Sequence, residues 1–168
     1  MSTTPSILVG CANKIVWIKV EGKGSFLNSA GVKEFSKEMV NRGHREFVVD
    51  LKNCPVMDST FMGTLAMIAL RLRDLGQGHL HVINLNERNF DLLSNLGLDQ
   101  LFAMDMCGVK TPPAEPTQQA LPTATPDKNA QAKTMLEAHE ALVVADPENI
   151  TKFKDVLEYL KQDLHASD

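Results

Sequence analysis

The sequence predicts an α/β domain in which helices flank a mixed β-sheet. In its N-terminal part, short apolar segments rich in β-branched residues alternate with longer segments whose apolar residues recur every three or four positions. The first two short segments are so close together that we expect them to pair as an antiparallel hairpin. The order of elements is then β-β-α-β-α-β-α with a terminal edge strand, which is typical of an α/β sandwich.

The individual elements follow from local patterns. Strands are predicted at Ser6 to Gly10, Ile15 to Glu21, Glu46 to Leu51 and His79 to Leu85, with a short edge strand inside Leu98 to Met104. Helices are predicted from Asn28 or Ser29 to Gly43, from Asp58 to Gly76, and from Asn86 to Gly97. The Gly-rich segment before the first helix is expected to be a flexible loop. The nearly all-apolar third strand is expected to be covered on both faces.

Composition excludes several classes of function. The formal net charge of −4 gives no basic surface, so neither nucleic acid nor an anionic membrane is expected as a partner. The three cysteines are far apart and have no metal-ligand spacing, which indicates reduced thiols and neither a metal nor another cofactor. The sequence contains no recognisable signal peptide and no apolar run long enough for a bilayer. We therefore expect a soluble cytoplasmic protein.

The C-terminal third differs from the rest of the chain. We predict a domain over residues 5–107, a linker rich in Pro, Thr and Ala over residues 108–131, and an amphipathic helical tail over residues 132–168. Two helices cannot bury their apolar stripes by themselves. The tail must therefore dock on the domain, on another protein or on a second copy, which makes it a candidate for self-association.

Three small polar residues, Asp58, Ser59 and Thr60, stand between the third strand and the second helix. This arrangement places the Ser59 hydroxyl at a helix N-terminus, at the carboxyl end of a buried strand, where open α/β sheets usually carry function. The triplet is also a good helix cap, and a purely structural role is the first alternative. A phosphate on Ser59 would be favoured by the helix dipole, and a partner docked over an apolar face would have to desolvate it. We therefore predict that Ser59 is phosphorylated, with Thr60 as a candidate second site.

The helix that follows Ser59 has a second apolar face besides its core stripe. This face is formed by Met62, Gly63, Ala66, Met67 and Leu70. Small residues and methionines suit an adaptable docking surface, and the predicted partner-binding residues are Asp58, Ser59, Thr60, Met62, Gly63, Ala66 and Met67. Alternatively, a neighbouring helix covers this face.

The segment from Phe47 to Thr60 resembles the signature of STAS domains, the anti-sigma factor antagonists. There an apolar strand leads to a Met-Asp-Ser motif at a helix start, and the resemblance extends to a later pattern from Leu92 to Phe102. It implies a STAS-like fold, with Ser59 phosphorylated by an anti-sigma factor that is also a serine protein kinase. The unphosphorylated antagonist would capture that kinase and release a sigma factor, and a phosphatase would reset the system. Where the family commonly has Gly-Leu-Gly, this chain has Phe61-Met62-Gly63.

Three other classes of protein are weaker alternatives. A phosphotransfer receiver needs an acidic pair after its first strand, which this chain lacks, and Asp50 is more simply a hydrogen-bond acceptor at a strand end. An enzyme is not expected, because no nucleophile motif accompanies Ser59 and the pair His79 and His81 has no third ligand. A constitutive STAS adaptor or scaffold, in a stress-signalling or transport-associated assembly, remains open.

Overall fold

The computed structural model describes residues 5–108, 116–121 and 127–166, and it contains a six-stranded mixed sheet. The strands are β1 (Ser6–Ala12), β2 (Ile15–Glu21), β3 (Glu46–Asn53), β4 (His79–Leu85), β5 (Ala103–Met106) and β6 (Gln119–Ala120). Their spatial order is β5-β4-β3-β2-β1-β6. Strands β2 to β5 are parallel, whereas β1 is antiparallel to both of its neighbours. The predicted α/β class, with a mixed sheet flanked by helices, is confirmed.

A tight turn joins β1 and β2, as predicted. Its two residues, Asn13 and Lys14, both have positive φ, at 54° and 68°. Positive φ at both central positions is the mark of a type I′ turn, whose twist matches that of the flanking strands. The hairpin therefore extends to Ala12, two residues beyond the predicted end of the first strand.

The helices are α1 (Phe26–Asn41), α2 (Ser59–Asp74), α3 (Glu87–Asn95), α4 (Lys128–Ala145) and α5 (Asn149–Ala166), with a short 3₁₀ turn at Leu98–Gln100. Helix α1 begins earlier than predicted. Its N-cap is Ser25, whose hydroxyl accepts a hydrogen bond from the Leu27 N–H, while the Asn28 side chain accepts one from the Ser25 N–H. Asn28 is therefore the reciprocal member of a capping box and not the cap itself.

The main core lies between the sheet and α1, α2 and α3. Phe47 and Val49 of β3 belong to it, together with α2 residues such as Phe61 and Leu65. Val48, which points to the opposite face of β3, joins a second and smaller cluster with Trp17 and Ile83. Strand β3 is thus buried on both faces, as its apolar sequence predicts.

The segment predicted as a linker contains an additional strand. Strand β6 pairs with β1, so β5 and β6 lie at opposite edges of the sheet. Beside β1, a Cβ on Gly10 would lie only 2.5 Å from the Thr117 carbonyl oxygen. Residues 109–115 and 122–126 of the predicted linker lie outside the described residues. Helix α4 starts within it, at Lys128, because the Asp127 carboxylate accepts a hydrogen bond from the Ala130 N–H.

Candidate functional site at the start of helix α2

The Asp58 carboxylate joins the N-termini of two helices. As the N-cap of α2, it accepts a hydrogen bond from the Phe61 N–H through Oδ1 (2.8 Å). Its Oδ2 accepts another from the N–H of Phe26, the first residue of α1 (2.9 Å). Both bonds satisfy N–H groups that a helix leaves without an internal partner. Asp58 therefore fixes the position of Ser59, which follows it in the chain.

The predicted flexible loop is tied to this site by backbone hydrogen bonds. The Gly24 N–H donates to the Val56 carbonyl at 3.0 Å, and the Asp58 N–H donates to the Gly24 carbonyl at 2.8 Å. On the other side, the buried Asn89 side chain donates to the Cys54 carbonyl at 2.9 Å. The segment between β3 and α2, which leads to Ser59, is thus held by hydrogen bonds from both sides.

Ser59 is half-buried, and its hydroxyl has a partner 80 positions later in the chain. Ser59 Oγ lies 2.9 Å from Nε2 of His139 on α4. The Nδ1 atom of His139 is 2.6 Å from the Met135 carbonyl oxygen, which can only accept, so Nδ1 carries the proton. In the neutral imidazole, Nε2 then accepts the hydrogen bond from the Ser59 hydroxyl. The ring is 2% exposed and packs edge-on against Phe153 of α5, with centroids 5.1 Å apart.

Helix α4 covers the second apolar face of α2. Met62 and Ala66 are buried, and Met67 is half-buried. Gly63 is in contact with the α4 backbone: a Cβ added there would lie 2.2 Å from the Ala138 carbonyl oxygen. The face that was expected to be exposed is therefore occupied by the chain's own helix. The structure thus agrees with the second interpretation of the sequence, in which a neighbouring helix covers the apolar face of α2.

Thr60 differs from Ser59 in its accessibility. Its side chain is 3% exposed, whereas Ser59 is only half-buried. The Thr60 carbonyl accepts a hydrogen bond from the Thr64 hydroxyl at 2.9 Å, within the first turns of α2. The Thr60 hydroxyl is therefore less accessible than that of Ser59 in this structure.

Polar contacts hold the α4–α5 pair against the domain at several points. The buried Asn149 amide, at the start of α5, donates to the carbonyls of Leu96 (2.9 Å) and Leu142 (2.8 Å). On the α1 side, Lys33 forms an ion pair with Glu137 of α4 at 3.1 Å. Of the three docking modes that the sequence left open, the structure shows docking on the chain's own domain.

The other polar candidates lie apart from Ser59. Asp50 is buried, and its Oδ1 accepts hydrogen bonds from the Lys52 N–H and the Asn84 side chain, so it is the expected acceptor. It lies inside the strand and not at its end, because β3 continues to Asn53. His79 pairs with Glu46, and His81 pairs with Asp105, at the opposite end of the parallel strands from Ser59. Within residues 5–108, 116–121 and 127–166, no group of three or more His, Cys, Asp or Glu side chains is arranged to hold a metal ion.

Cys54, beside the site, is a buried thiol. Its Sγ donates to the Val56 carbonyl at 3.3 Å, and burial raises the pKa of the Cys54 thiol. A raised pKa leaves little thiolate at neutral pH, so this cysteine has a packing role.

Sequence reasoning missed His139 as a member of the site. In the sequence it is one residue in the amphipathic stripe of the tail, and a single histidine in such a stripe carries no signal of a partner. The only available sign was that the tail had to dock somewhere.

Comparison with known proteins identifies the family. The STAS domain model matches residues 6–113, which is more than half of the chain, and the protein belongs to the STAS domain family. Helices α4 and α5 lie beyond the matched residues. No curated protein shows a significant match. No helix in the part of the chain that the structure describes has the length and apolar character to cross a membrane.

Two solved structures show the same fold. One is a putative anti-sigma factor antagonist, TM1081 of Thermotoga maritima, with 18% identity, a TM-score of 0.54, and coverage of 58% of this chain and 83% of that one. The other is the anti-sigma factor antagonist SpoIIAA in its unphosphorylated form, with 13% identity, a TM-score of 0.50, and coverage of 60% and 87%. The predicted STAS-like fold is confirmed.

Proposed function

We propose that this protein is an anti-sigma factor antagonist that acts by partner switching, with Ser59 as its phosphoacceptor. The unphosphorylated form binds an anti-sigma factor that is also a serine protein kinase, and a phosphatase restores that form. The observation that carries the proposal is the position of the Ser59 hydroxyl, at the first residue of α2 in a STAS domain. The protein works by binding, without catalysis or a cofactor of its own.

The location of Ser59 suits a switch that leaves the domain folded. A phosphate would add a charge of about −1.5 to −2 at neutral pH, at the positive end of the α2 dipole. The domain tolerates that charge, but a partner docked over the start of α2 would have to desolvate it. Affinity for the partner would fall by about a hundredfold or more, which corresponds to a few kcal/mol.

The residues around Ser59 have different parts in this proposal. Asp58 fixes the backbone that presents the acceptor, and Ser59 alone is modified, because Thr60 is buried. Met62, Gly63, Ala66 and Met67 form the docking face, which α4 covers in this structure.

A constitutive adaptor or scaffold is the second candidate function. The position of α4 favours this function, because α4 packs over the docking face and its His139 is hydrogen-bonded to the Ser59 hydroxyl. In that case Ser59 is a helix residue with a structural hydrogen bond, and phosphorylation plays no part.

The test is a pulldown from lysate of the source cell with wild type, Ser59→Ala and Ser59→Asp as baits. Each bound fraction is then incubated with ATP, and the intact mass of the bait is measured. Thr151→Asp is the matched control, because it places the same charge on an exposed residue near the start of α5.

The switch predicts that wild type, Ser59→Ala and Thr151→Asp retain a common partner that Ser59→Asp loses. It also predicts that wild type and Thr151→Asp gain one phosphate and that the two Ser59 variants gain none. If all baits hold the same proteins and none gains mass, the scaffold function replaces the switch.

A further inference from the structure

The contact between α2 and α4 is made by small residues whose backbones approach closely. The closest approach is between Gly63 of α2 and Ala138 of α4, and three further small residues of these helices are buried: Ala66, Thr134 and Ala141. Small side chains bury less apolar area per residue than leucine or phenylalanine. The stability of the α2–α4 interface therefore depends more on close packing than on buried apolar area. A group added between the two helices is enough to separate them.

The Ser59 hydroxyl lies within the closely packed interface between α2 and α4. Its oxygen is already within hydrogen-bond distance of His139 Nε2, and His139 is almost fully buried. The preceding residue, Ala138, is held against Gly63, so α4 cannot lean away from Ser59 without losing that contact. A phosphoryl group on Oγ brings a phosphorus atom and three further oxygens into the space that the imidazole occupies. With the Ser59 side chain in the conformation seen here, the phosphoryl group and the docked imidazole would overlap.

The α4–α5 pair is also attached to the domain at points away from Ser59. Asn149 holds the turn between α4 and α5 to the Leu96 carbonyl, next to α3, and Lys152 donates to the Asn95 carbonyl at 2.7 Å. These two anchors lie at the start of α5, away from Ser59. Nearer to Ser59, the polar contacts of α4 include the Ser59–His139 hydrogen bond and the Lys33–Glu137 ion pair.

We propose that the α4–α5 pair is an intramolecular occupant of the docking face on α2, and that its release is coupled to phosphorylation of Ser59. The inference rests on the proposed function, because it names the regulation of that same site. In the closed state, α4 shields both the acceptor and the surface that a partner needs. In the open state, both are accessible.

The coupling acts in both directions. If phosphate favours the open state, then opening makes the free energy of phosphorylation more favourable by the same amount, because linked equilibria are reciprocal. A partner that binds only the open state has its apparent affinity reduced by the fraction of molecules that are open. Helices α4 and α5 thus set the concentration at which the partner binds the domain. These helices lie beyond the residues that the STAS model matches.

The first experiment needs neither the kinase nor the partner. Phosphoserine is incorporated at position 59 of the full chain during synthesis, and amide hydrogen exchange is compared with that of wild type. We expect exchange in residues 132–145 to be at least tenfold faster in the phosphorylated chain, while the protection of β2, β3 and β4 is unchanged. Equal or slower exchange in α4 would mean that His139 accommodates the phosphate, and the coupling would be overturned.

A second experiment disrupts the α2–α4 contact by a substitution in α4 and leaves Ser59 unchanged. Ala138→Glu places a carboxylate against Gly63, whereas Val144→Glu makes the same kind of change on α4 at a residue that is 59% exposed. We expect faster exchange in residues 132–145 and in residues 59–67 for Ala138→Glu only. If Ala138→Glu loses the cooperative unfolding of the domain, Gly63→Ala replaces it. Protection equal to wild type in the folded variant would contradict the proposed role of this contact.

The two proposals fail separately. If phosphoserine 59 releases α4 but no lysate kinase modifies Ser59, the occlusion stands and the switch is wrong. If Ser59 is phosphorylated in lysate but α4 stays protected, the switch stands and the tail is a fixed part of the fold.

Discussion

Gly63 of α2 and Ala138 of α4 are in contact through the backbone, and a Cβ at position 63 would lie 2.2 Å from the Ala138 carbonyl oxygen. Helix α4 can approach α2 this closely because residue 63 has no side chain. The contact joins the STAS domain to the helices that follow it, one turn beyond Ser59. Predictions about the site therefore concern the tail as much as the domain.

Gly63→Ala is expected to destabilise the protein, although alanine is the better helix former. In a free helix the change would stabilise by about 0.5–1 kcal/mol. Here the new methyl group forces α4 away from α2, and overpacking of this kind costs about 1–3 kcal/mol. Urea denaturation measures the difference. The matched control is Gly31→Ala in α1, where a Cβ meets nothing within 4 Å, so that variant should be more stable than wild type. Equal stabilisation by both changes would contradict the close approach of α2 and α4.

Asp58→Ala is expected to lower the free energy of unfolding by about 1–2 kcal/mol, because two helices lose a cap contact. The Phe61 and Phe26 N–H groups both depend on this carboxylate. The control is Asp127→Ala, which removes the cap of α4 alone and should cost less. The two free energies come from urea titrations under identical conditions. A loss at Asp58 no larger than that at Asp127 would rule out its bridging role.

A double-mutant cycle tests the hydrogen bond between Ser59 and His139. Ser59→Ala, His139→Ala and the double variant are compared with wild type by urea denaturation. We expect a coupling free energy of about 0.5–1.5 kcal/mol, the net value of a typical hydrogen bond in a folded protein. Simple additivity of the two single changes would show that the hydroxyl and the imidazole do not interact.

The three cysteines are expected to react at different rates with a thiol reagent. Cys11 and Cys107 are exposed, whereas Cys54 is buried and its pKa is raised by that burial. Because only the thiolate reacts, Cys54 should be modified last, and its rate should rise only at higher pH than the rates of the exposed thiols. Mass spectrometry of the modified peptides over time and pH measures the order. Denaturant should make the three rates similar, and fast reaction of Cys54 in the native protein would contradict its burial.

Much of the fold follows from the sequence because the signals are local. The all-apolar third strand, the Asp58 cap and the tight hairpin at Asn13 are each specified by neighbouring residues. Ser25 was missed as a cap because Asn28 takes the capping-box position where glutamate or glutamine is usual, and the segment looks like a loop. Strand β6 has two residues and no apolar run, so no pattern indicates it.

The candidate site could be predicted only in part. Its domain half, from Asp58 to Met67, is continuous in sequence and begins with the last three residues of the family signature. The part of the site that α4 contributes depends on where α4 docks. An amphipathic stripe indicates that a helix packs against another surface, but it does not indicate which surface. The partnership of Ser59 with His139 is therefore a result of tertiary structure.

The central claim is that Ser59 is the phosphoacceptor, and site mapping tests it most directly. Full-length wild type, Ser59→Ala and Thr151→Ala are incubated with ATP and lysate of the source cell, and the phosphorylated residue is identified by peptide mass spectrometry. We predict one phosphate at Ser59 in wild type and in Thr151→Ala, none at Thr60, and none in Ser59→Ala. A phosphate at another residue that persists in Ser59→Ala, or no phosphate in any sample, would contradict the account.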